Sequence, residues 1–384
     1  MAKAGRDATR RARRRRWPWI VAGSIVFVLL LAAVGIPLAG AQALLTPHHG
    51  LTTAAGEVLS ITDDEVTLSK TAAGARVGTY GLLWDTAAGP QTGSAIVGPV
   101  SGSTQDSITR PISAIVGELP VGTDVLLDPN VWDTDPQTAL GIPFTTVDIA
   151  SELGPMPAWQ VDGAGTTWML FVHGIDGLRQ SALRPLPTIV EAGLPTLVIS
   201  YRNDEGAPAS PNGLFALGET EWHDLDSAAQ YALSQGATKF VLYGDSMGGS
   251  IVTRFMHQSE YADQVVGMVL DAPVLNWAGV LQNQADRLYL GAFSGLLKLA
   301  VSWRGGIDLG VLDELDQTET FQRLPILIFQ GLADPLVPPA ETQQFADSLP
   351  DAQYVPVPDA GHIQSWNVDP QSYESKLAAF LAQF

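Results

Sequence analysis

Cysteine is absent from all 384 residues. Disulfides, thiolate metal sites, a cysteine nucleophile and a lipidated N-terminal cysteine are thereby excluded, while the compartment stays open, because exported proteins can lack disulfides. Positive charge is scarce: 21 lysines and arginines face 40 aspartates and glutamates, a net charge of −19. Residues 1–16 hold Lys3 and seven arginines against Asp7, a local +7, so the remainder carries −26. So acidic a body is a poor partner for nucleic acid, whose phosphates reward lysine and arginine. No internal repeat of fixed period is present in residues 46 to about 140. What composition does offer is a 46% hydrophobic fraction at moderate charge, the signature of a globular chain. The length suits two domains, or one large domain with an accessory piece.

Arg10-Arg11 and Arg13 to Arg16 are followed by Trp17-Pro18-Trp19 and then by Ile20 to Leu38, nineteen residues in which Ser24 is the only polar side chain. At about 1.5 Å per residue this run spans roughly 28 Å as a helix, close to a bilayer core. The pattern predicts a basic cytoplasmic tail at 1–16, a transmembrane signal anchor at 17–41, and a body held outside the cytoplasm at the cell membrane. Ala39-Gly40-Ala41 also fits a small-residue cleavage site, so secretion after cleavage near Ala41 is the alternative. The apolar run exceeds the ~7 to 15 residues of a signal core, and this favours the anchor.

Residues 42–140 alternate short apolar runs with glycine, proline, serine and threonine, which predicts a small β-rich accessory region. Glu57–Ile61 and Glu65–Ser69, separated by Thr62-Asp63-Asp64, read as a hairpin. Further strands are expected at Val77–Trp84, Ser94–Val97, Ile112–Val116 and Val125–Leu127. His48-His49 lacks a third ligand nearby and reads as a solvated linker rather than a metal site. No metal or cofactor is expected anywhere in the chain.

From residue 141 to 384 the pattern changes. Thr145–Ile149 and Ala158–Val161 suit a leading antiparallel pair. Strand candidates at Trp168–Val172, Thr196–Ser200, Lys239–Tyr243, Val265–Leu270, Ile326–Gln330 and Gln353–Val357 then alternate with helical stretches such as Thr220–Ser234, as in a mainly parallel sheet covered on both faces. Function in such sheets collects in the loops after the strand C-terminal ends.

Three of those loops hold chemistry. Gly244-Asp245-Ser246-Met247-Gly248-Gly249 lies between an apolar strand and a helix, the context of a nucleophile elbow. Its glycines suit the crowding where strand and helix backbones nearly touch. Asp334 follows the strand at Ile326–Gln330, and His362 follows the last strand. A serine hydroxyl needs a base: His362 would take its proton, and Asp334 would fix the imidazole tautomer and stabilise the imidazolium. Asp271 and Asp359 compete for the acid's role. Asp334 is favoured over Asp271, and Asp359 reads as closing a turn. His173 reads as a structural donor, Arg202 as an ion-pair partner, and Asp245 as pointing away from Ser246.

With its triad in the order Ser246, Asp334, His362, the region from about 145 onward resembles the α/β-hydrolase fold family of serine hydrolases, in particular small-substrate esterases and acyl-peptide hydrolases. Phe171-Val-His173-Gly174-Ile175-Asp176-Gly177 matches the H-G loop of that family, and Tyr201-Arg202-Asn203-Asp204 sits where similar hydrolases carry a Tyr-Arg-Gly loop. The resemblance implies an oxyanion hole from the backbone N–H groups of Met247 and Ile175. Asp176 is a departure, since a carboxylate facing the hole would oppose the developing charge. Residues 276–324 form a long, partly apolar insertion, expected as a cap over an acyl pocket. The expected activity is hydrolysis of a carboxylic ester or thioester of a small-molecule acyl substrate. A peptidase of short peptides and a non-catalytic envelope scaffold remain the alternatives.

Overall fold

The structure is a computed structural model, described here for residues 22, 24, 27, 31, 33–50 and 52–384. The basic tail at 1–16 and much of the expected anchor at 17–41 fall outside the described residues. Among the described residues no helix is long and apolar enough to cross a membrane. Residues 33–45 are helical (α1). Ala41 and Leu45 are fully buried against the main core, and Arg304 Nε donates to Gln42 Oε1 at 2.8 Å.

The accessory region is an antiparallel sheet of β1 (Thr53–Ile61), β2 (Glu65–Ser69), β3 (Tyr80–Thr86), β4 (Gly89–Val97), β5 (Gly102–Ser103), β6 (Ser107–Val116) and β7 (Asp124–Asp128). Its order is β2-β1-β7-β3-β4-β6-β5, and β2 also pairs with β6, closing six strands into a barrel. Closure removes the free edges that a small sheet would expose. The hairpin at 57–69 is present as expected. The strand expected from Val77 begins at Tyr80 instead, because Gly78 takes a φ of 110° in a loop that turns toward the larger domain. Inward side chains such as Val58, Leu68, Leu82, Trp84 and Leu127 fill the barrel.

After the short helix α2 (Pro136–Leu140) comes the larger sheet: β8 (Thr145–Ser151), β9 (Gly154–Val161), β10 (Thr167–Val172), β11 (Thr196–Ile199), β12 (Lys239–Asp245), β13 (Val265–Asp271), β14 (Ile326–Gly331) and β15 (Ala352–Val357). The order is β15-β14-β13-β12-β10-β11-β9-β8, with the β8–β9 and β9–β11 pairs antiparallel and the rest parallel. Strand alternation sorts the apolar side chains onto two faces. Leu170, Leu242, Leu270 and Ile328 join the core beneath α4 (Trp222–Ser234) and α5 (Met247–Gln258). Phe171, Tyr243, Val269 and Phe329 join the opposite core with α3 (Leu186–Glu191) and α10 (Pro370–Leu381). Each fully buried side chain of this size contributes roughly 1.5–3 kcal/mol before entropy is counted.

The insertion holds α6 (Trp277–Arg287) and α7 (Ser294–Gly305), followed by short 3₁₀ turns. It is not a buried core helix: Leu288, Tyr289, Phe293, Leu299 and Trp303 are exposed. From α6, Gln284 Nε2 donates to the carbonyl of Pro335 at 2.8 Å, tying the insertion to the loop after β14. Helices α8 (Pro339–Asp347) and α9 (Ser365–Val368) complete the chain with α10.

Candidate active site

Ser246 sits between β12 and α5 with φ 50° and ψ −118°. A non-glycine residue held there carries strain of about 1–3 kcal/mol. Its surroundings over-determine the turn: Ser246 N–H donates to Asp271 O at 3.0 Å, and its carbonyl accepts from Val274 N–H at 2.9 Å. The glycines answer the expected crowding. A Cβ on Gly248 would lie 2.1 Å from the Val172 carbonyl oxygen, and one on Gly244 would lie 2.6 Å from that of Gly248.

The structure brings the three expected residues together although 116 residues separate Ser246 from His362. His362 Nε2 lies 2.7 Å from Ser246 Oγ, and His362 Nδ1 lies 2.8 Å from Asp334 Oδ2. A carboxylate can only accept, so Nδ1 carries the hydrogen and Nε2 is free to receive the serine proton. The other oxygen of Asp334 accepts the N–H groups of Leu336 (2.8 Å) and Val337 (3.1 Å). Gln330 Nε2 reaches Oδ2 at 3.3 Å, and Gln330 is itself held by the Thr342 hydroxyl at 2.9 Å. Those backbone donors aim the carboxylate at the imidazole.

The competing acids lie elsewhere. Asp271 accepts from the Tyr373 hydroxyl at 3.2 Å, and burial pushes its carboxyl up from the ordinary 3.8 to about 7. Asp359 is exposed with a φ of 62°, in keeping with a turn. Asp245 is buried, and burial raises its carboxyl.

Met247 N–H opens α5 immediately after Ser246. Across from it, a Cβ on Gly174 would come 2.8 Å from Ser246 Cβ, so the H-G loop abuts the serine and sets Ile175 beside it. Asp176 does not oppose this arrangement: its Oδ1 accepts His48 N–H at 2.8 Å and its carbonyl accepts Gly50 N–H at 3.2 Å. The loop is braced from below. His173 is fully buried between two acceptors, Asp204 Oδ2 at 2.9 Å and the Gly174 carbonyl at 2.9 Å, so both ring nitrogens act as donors. Burial is the largest single influence and opposes that charge, but Asp204, the Gly174 carbonyl and Asp245 together raise the His173 pKa. Tyr201 OH also donates to the Gly174 carbonyl, at 2.8 Å. Arg202 pairs with Asp224 at 2.8 Å and Glu152 at 3.0 Å. His49 Nε2 donates to the Asn203 carbonyl at 2.8 Å, and no group of acidic, histidine or cysteine side chains among the described residues is arranged to hold a metal ion.

Sequence reasoning missed Gln330, Arg184 and Asn367. Arg184 Nη1 donates to the Ile363 carbonyl (2.7 Å) and to Asn367 Oδ1 (2.9 Å), which fixes the turn that carries His362. Nothing in the local sequence marks Arg184 or Asn367, since each acts on a segment distant in the chain, and Gln330, though only four residues from Asp334, ends an apolar strand that gives no sign of it.

A mainly parallel sheet flanked by helices, with a strained serine after β12 facing an aspartate and a histidine from the loops after β14 and β15, is the architecture of the α/β-hydrolase fold. Residues 219–308 match the family described as "Serine aminopeptidase, S33", residues 307–383 the family described as "TAP-like protein", and residues 57–128 a domain of unknown function. Among solved structures, an esterase of Pyrococcus furiosus superposes with a TM-score of 0.53 at 18% identity, covering 66% of this chain and 95% of its own. A thermophilic esterase of Thermogutta terrifontis gives 0.45 at 20% identity, covering 63% and 98%. Rv0554 of Mycobacterium tuberculosis gives 0.45 at 18%, covering 63% and 99%. A comparison with curated proteins gives no match.

Proposed function

We propose that this protein is a metal-independent serine hydrolase that cleaves carboxylic esters, with thioesters as a close second, through an acyl-enzyme on Ser246. The observation that carries the reading is the continuous chain from Ser246 Oγ through His362 to Asp334, with links of 2.7 and 2.8 Å. Ser246 Oγ bonds to the carbonyl carbon while its proton passes to His362 Nε2. The resulting oxyanion lies against the N–H groups of Met247 and Ile175. Collapse of the tetrahedral species breaks the bond to the leaving alkoxide, which takes the proton from His362. Water then adds to the acyl-enzyme with His362 again as base, and the acid departs as Ser246 recovers its proton.

The match of residues 219–308 to a serine aminopeptidase family favours short peptides as the second reading. Helix α1 supports a retained N-terminal segment: Ala41, at the possible cleavage site, is buried in the main core, and Leu297 of α7 lies against Gly40. On this reading residues 17–41 are retained as a membrane anchor and the hydrolase lies outside the cytoplasm.

A fluorophosphonate probe should label the full chain, which should also cleave short-chain aryl esters. Ser246→Ala should abolish labelling and lower kcat by about 10⁴- to 10⁶-fold. A native protein that is neither labelled nor active, or an alanine variant that is still labelled, would return the chain to the scaffold reading. Cleavage of aminoacyl anilides in preference to aryl esters would move it to the peptidase reading.

A further inference from the structure

The barrel reaches the active site. A cavity of about 420 Å³ has His362, Leu336 and Asp359 on one side and Arg76, Val77 and Pro129 on the other. The two sides are locked together around Asn367, which is fully buried. Its side-chain Nδ2 donates to the carbonyls of Thr79 (2.7 Å) and Pro129 (2.9 Å), and its own carbonyl accepts Thr79 N–H at 2.8 Å. The approach is so close that a Cβ on Gly78 would lie 2.2 Å from the Asn367 carbonyl oxygen.

Arg76 is the cation of this cavity. It is half-buried, its Nη1 touches only the Thr53 hydroxyl at 3.3 Å, and it has no ion-pair partner among the described residues. Its loop is held from beneath by Arg110, which is fully buried. Arg110 donates to the carbonyls of Gly74 (3.0 Å), Gly78 (3.0 Å), Gly98 (2.7 Å) and Arg76 itself. The caging fixes where the Arg76 side chain starts while leaving its guanidinium to the cavity. Asp359 is the carboxylate of the same cavity, and being exposed it is screened by solvent. On a chain whose body carries −26, an anion meets repulsion nearly everywhere else.

We propose that the barrel forms the specificity half of the active site, and that Arg76 binds a carboxylate or phosphate on the alcohol portion of the ester substrate. The assignment to the alcohol portion rests on the hydrolase reading above. His362 delivers its proton to the departing alkoxide, so the group that departs lies on the histidine side, and it is His362 that borders this cavity. A guanidinium suits both anions because its fork of N–H donors matches their paired oxygens.

The test compares three substrates on the full chain: phenyl acetate, para-acetoxybenzoate, whose leaving group carries a carboxylate, and monophenyl succinate, whose acyl group carries one. Arg76→Gln should lower kcat/KM for para-acetoxybenzoate by about 10- to 100-fold, the loss expected for a charge-assisted hydrogen bond. Phenyl acetate turnover and fluorophosphonate labelling should not change. Arg76→Lys should restore part of the loss. An equal effect on phenyl acetate and para-acetoxybenzoate, or none on the latter, overturns the proposal, and a loss confined to monophenyl succinate overturns the assignment to the leaving group. Para-acetoxyphenyl phosphate in the same series tells phosphate from carboxylate. Calorimetric titration of the Ser246→Ala protein with para-hydroxybenzoate needs no turnover. Binding that disappears in the Arg76→Gln double variant supports the site even if the esterase reading fails, and no binding to Ser246→Ala overturns it.

Discussion

Arg202 of the hydrolase half and Arg110 of the barrel are both buried, and they are satisfied in opposite ways. Arg202, in the loop after β11, lays its guanidinium along Asp224 of α4, with Nε to Oδ2 at 2.8 Å and Nη2 to Oδ1 at 3.0 Å. Arg110, inside the barrel, meets no carboxylate among the described residues and is satisfied by main-chain carbonyls alone. An ion pair ties two side chains and so joins two elements of structure. A carbonyl cage ties the main chain and so shapes one loop. The difference teaches that Arg202 uses its charge to join the loop after β11 to α4, whereas Arg110 uses its donors to set the conformation of residues 74–78.

The largest expected effect lies at the pair beside Ser246. If the His362–Asp334 pair carries the chemistry, Asp334→Asn should lower kcat on aryl esters by about 10⁴-fold, because the imidazole loses its fixed tautomer. Asp271→Asn, at the end of the neighbouring strand, should lower it by less than about 10-fold. Similar losses for the two in steady-state kinetics would erase the distinction between them. A smaller effect sharpens the comparison of the arginines themselves. Arg202→Met strands the Asp224 carboxylate in the interior and should cost about 3–5 kcal/mol in denaturant unfolding. Arg110→Met strands only neutral carbonyls and should cost about 1–3 kcal/mol, together with a raised KM for para-acetoxybenzoate but not for phenyl acetate. Equal unfolding costs, or equal changes in KM, would break the contrast.

The smallest effect is in the pH dependence of stability. Burial lifts Asp271 from 3.8 to about 7, and in Asp128, at the end of β7, from 3.8 to about 6. In both, the folded state holds its proton more tightly than the unfolded chain, so the stabilisation is complete below about pH 4 and is lost as pH rises through the folded value. The melting temperature of the native protein should fall between about pH 4 and 7, and Asp271→Asn should flatten the upper part of that slope. Superimposable profiles from scanning calorimetry would sink the assignment.

The parts of this molecule legible in its sequence are those encoded within a few residues of one another. Ser246, Asp334 and His362 each follow an apolar strand, and each strand announces itself by composition. The fold then needs only to stack the strands in its usual order to bring the three together. The turn glycines were legible for the same reason, since crowding at an elbow is local. Closure of the barrel was not, because the β2–β6 pairing joins residues such as Thr67 and Thr109, whose neighbours carry no mark of it. Arg76 and Asn367 were invisible as well: a lone arginine and a lone asparagine follow no period, and they acquire meaning only when two domains meet. The insertion at 276–324 carries exposed apolar side chains, and none of its residues lines the cavity bordered by Arg76 and His362, so the expected role as a cap over that cavity finds no support there.

Asn367 has one more consequence, in the order of events on the ribosome. A chain emerges from its N-terminal side, and domains commonly fold as they appear. The barrel, residues 53–128, is complete long before the segment that locks it, for the contacts to Thr79 and Pro129 come from a side chain 238 or more residues further on. His362 lies only five positions before that lock. His362 and the residue that seats the barrel on the larger domain thus arrive almost together, and a nascent chain that already holds Ser246 lacks both until its last residues emerge.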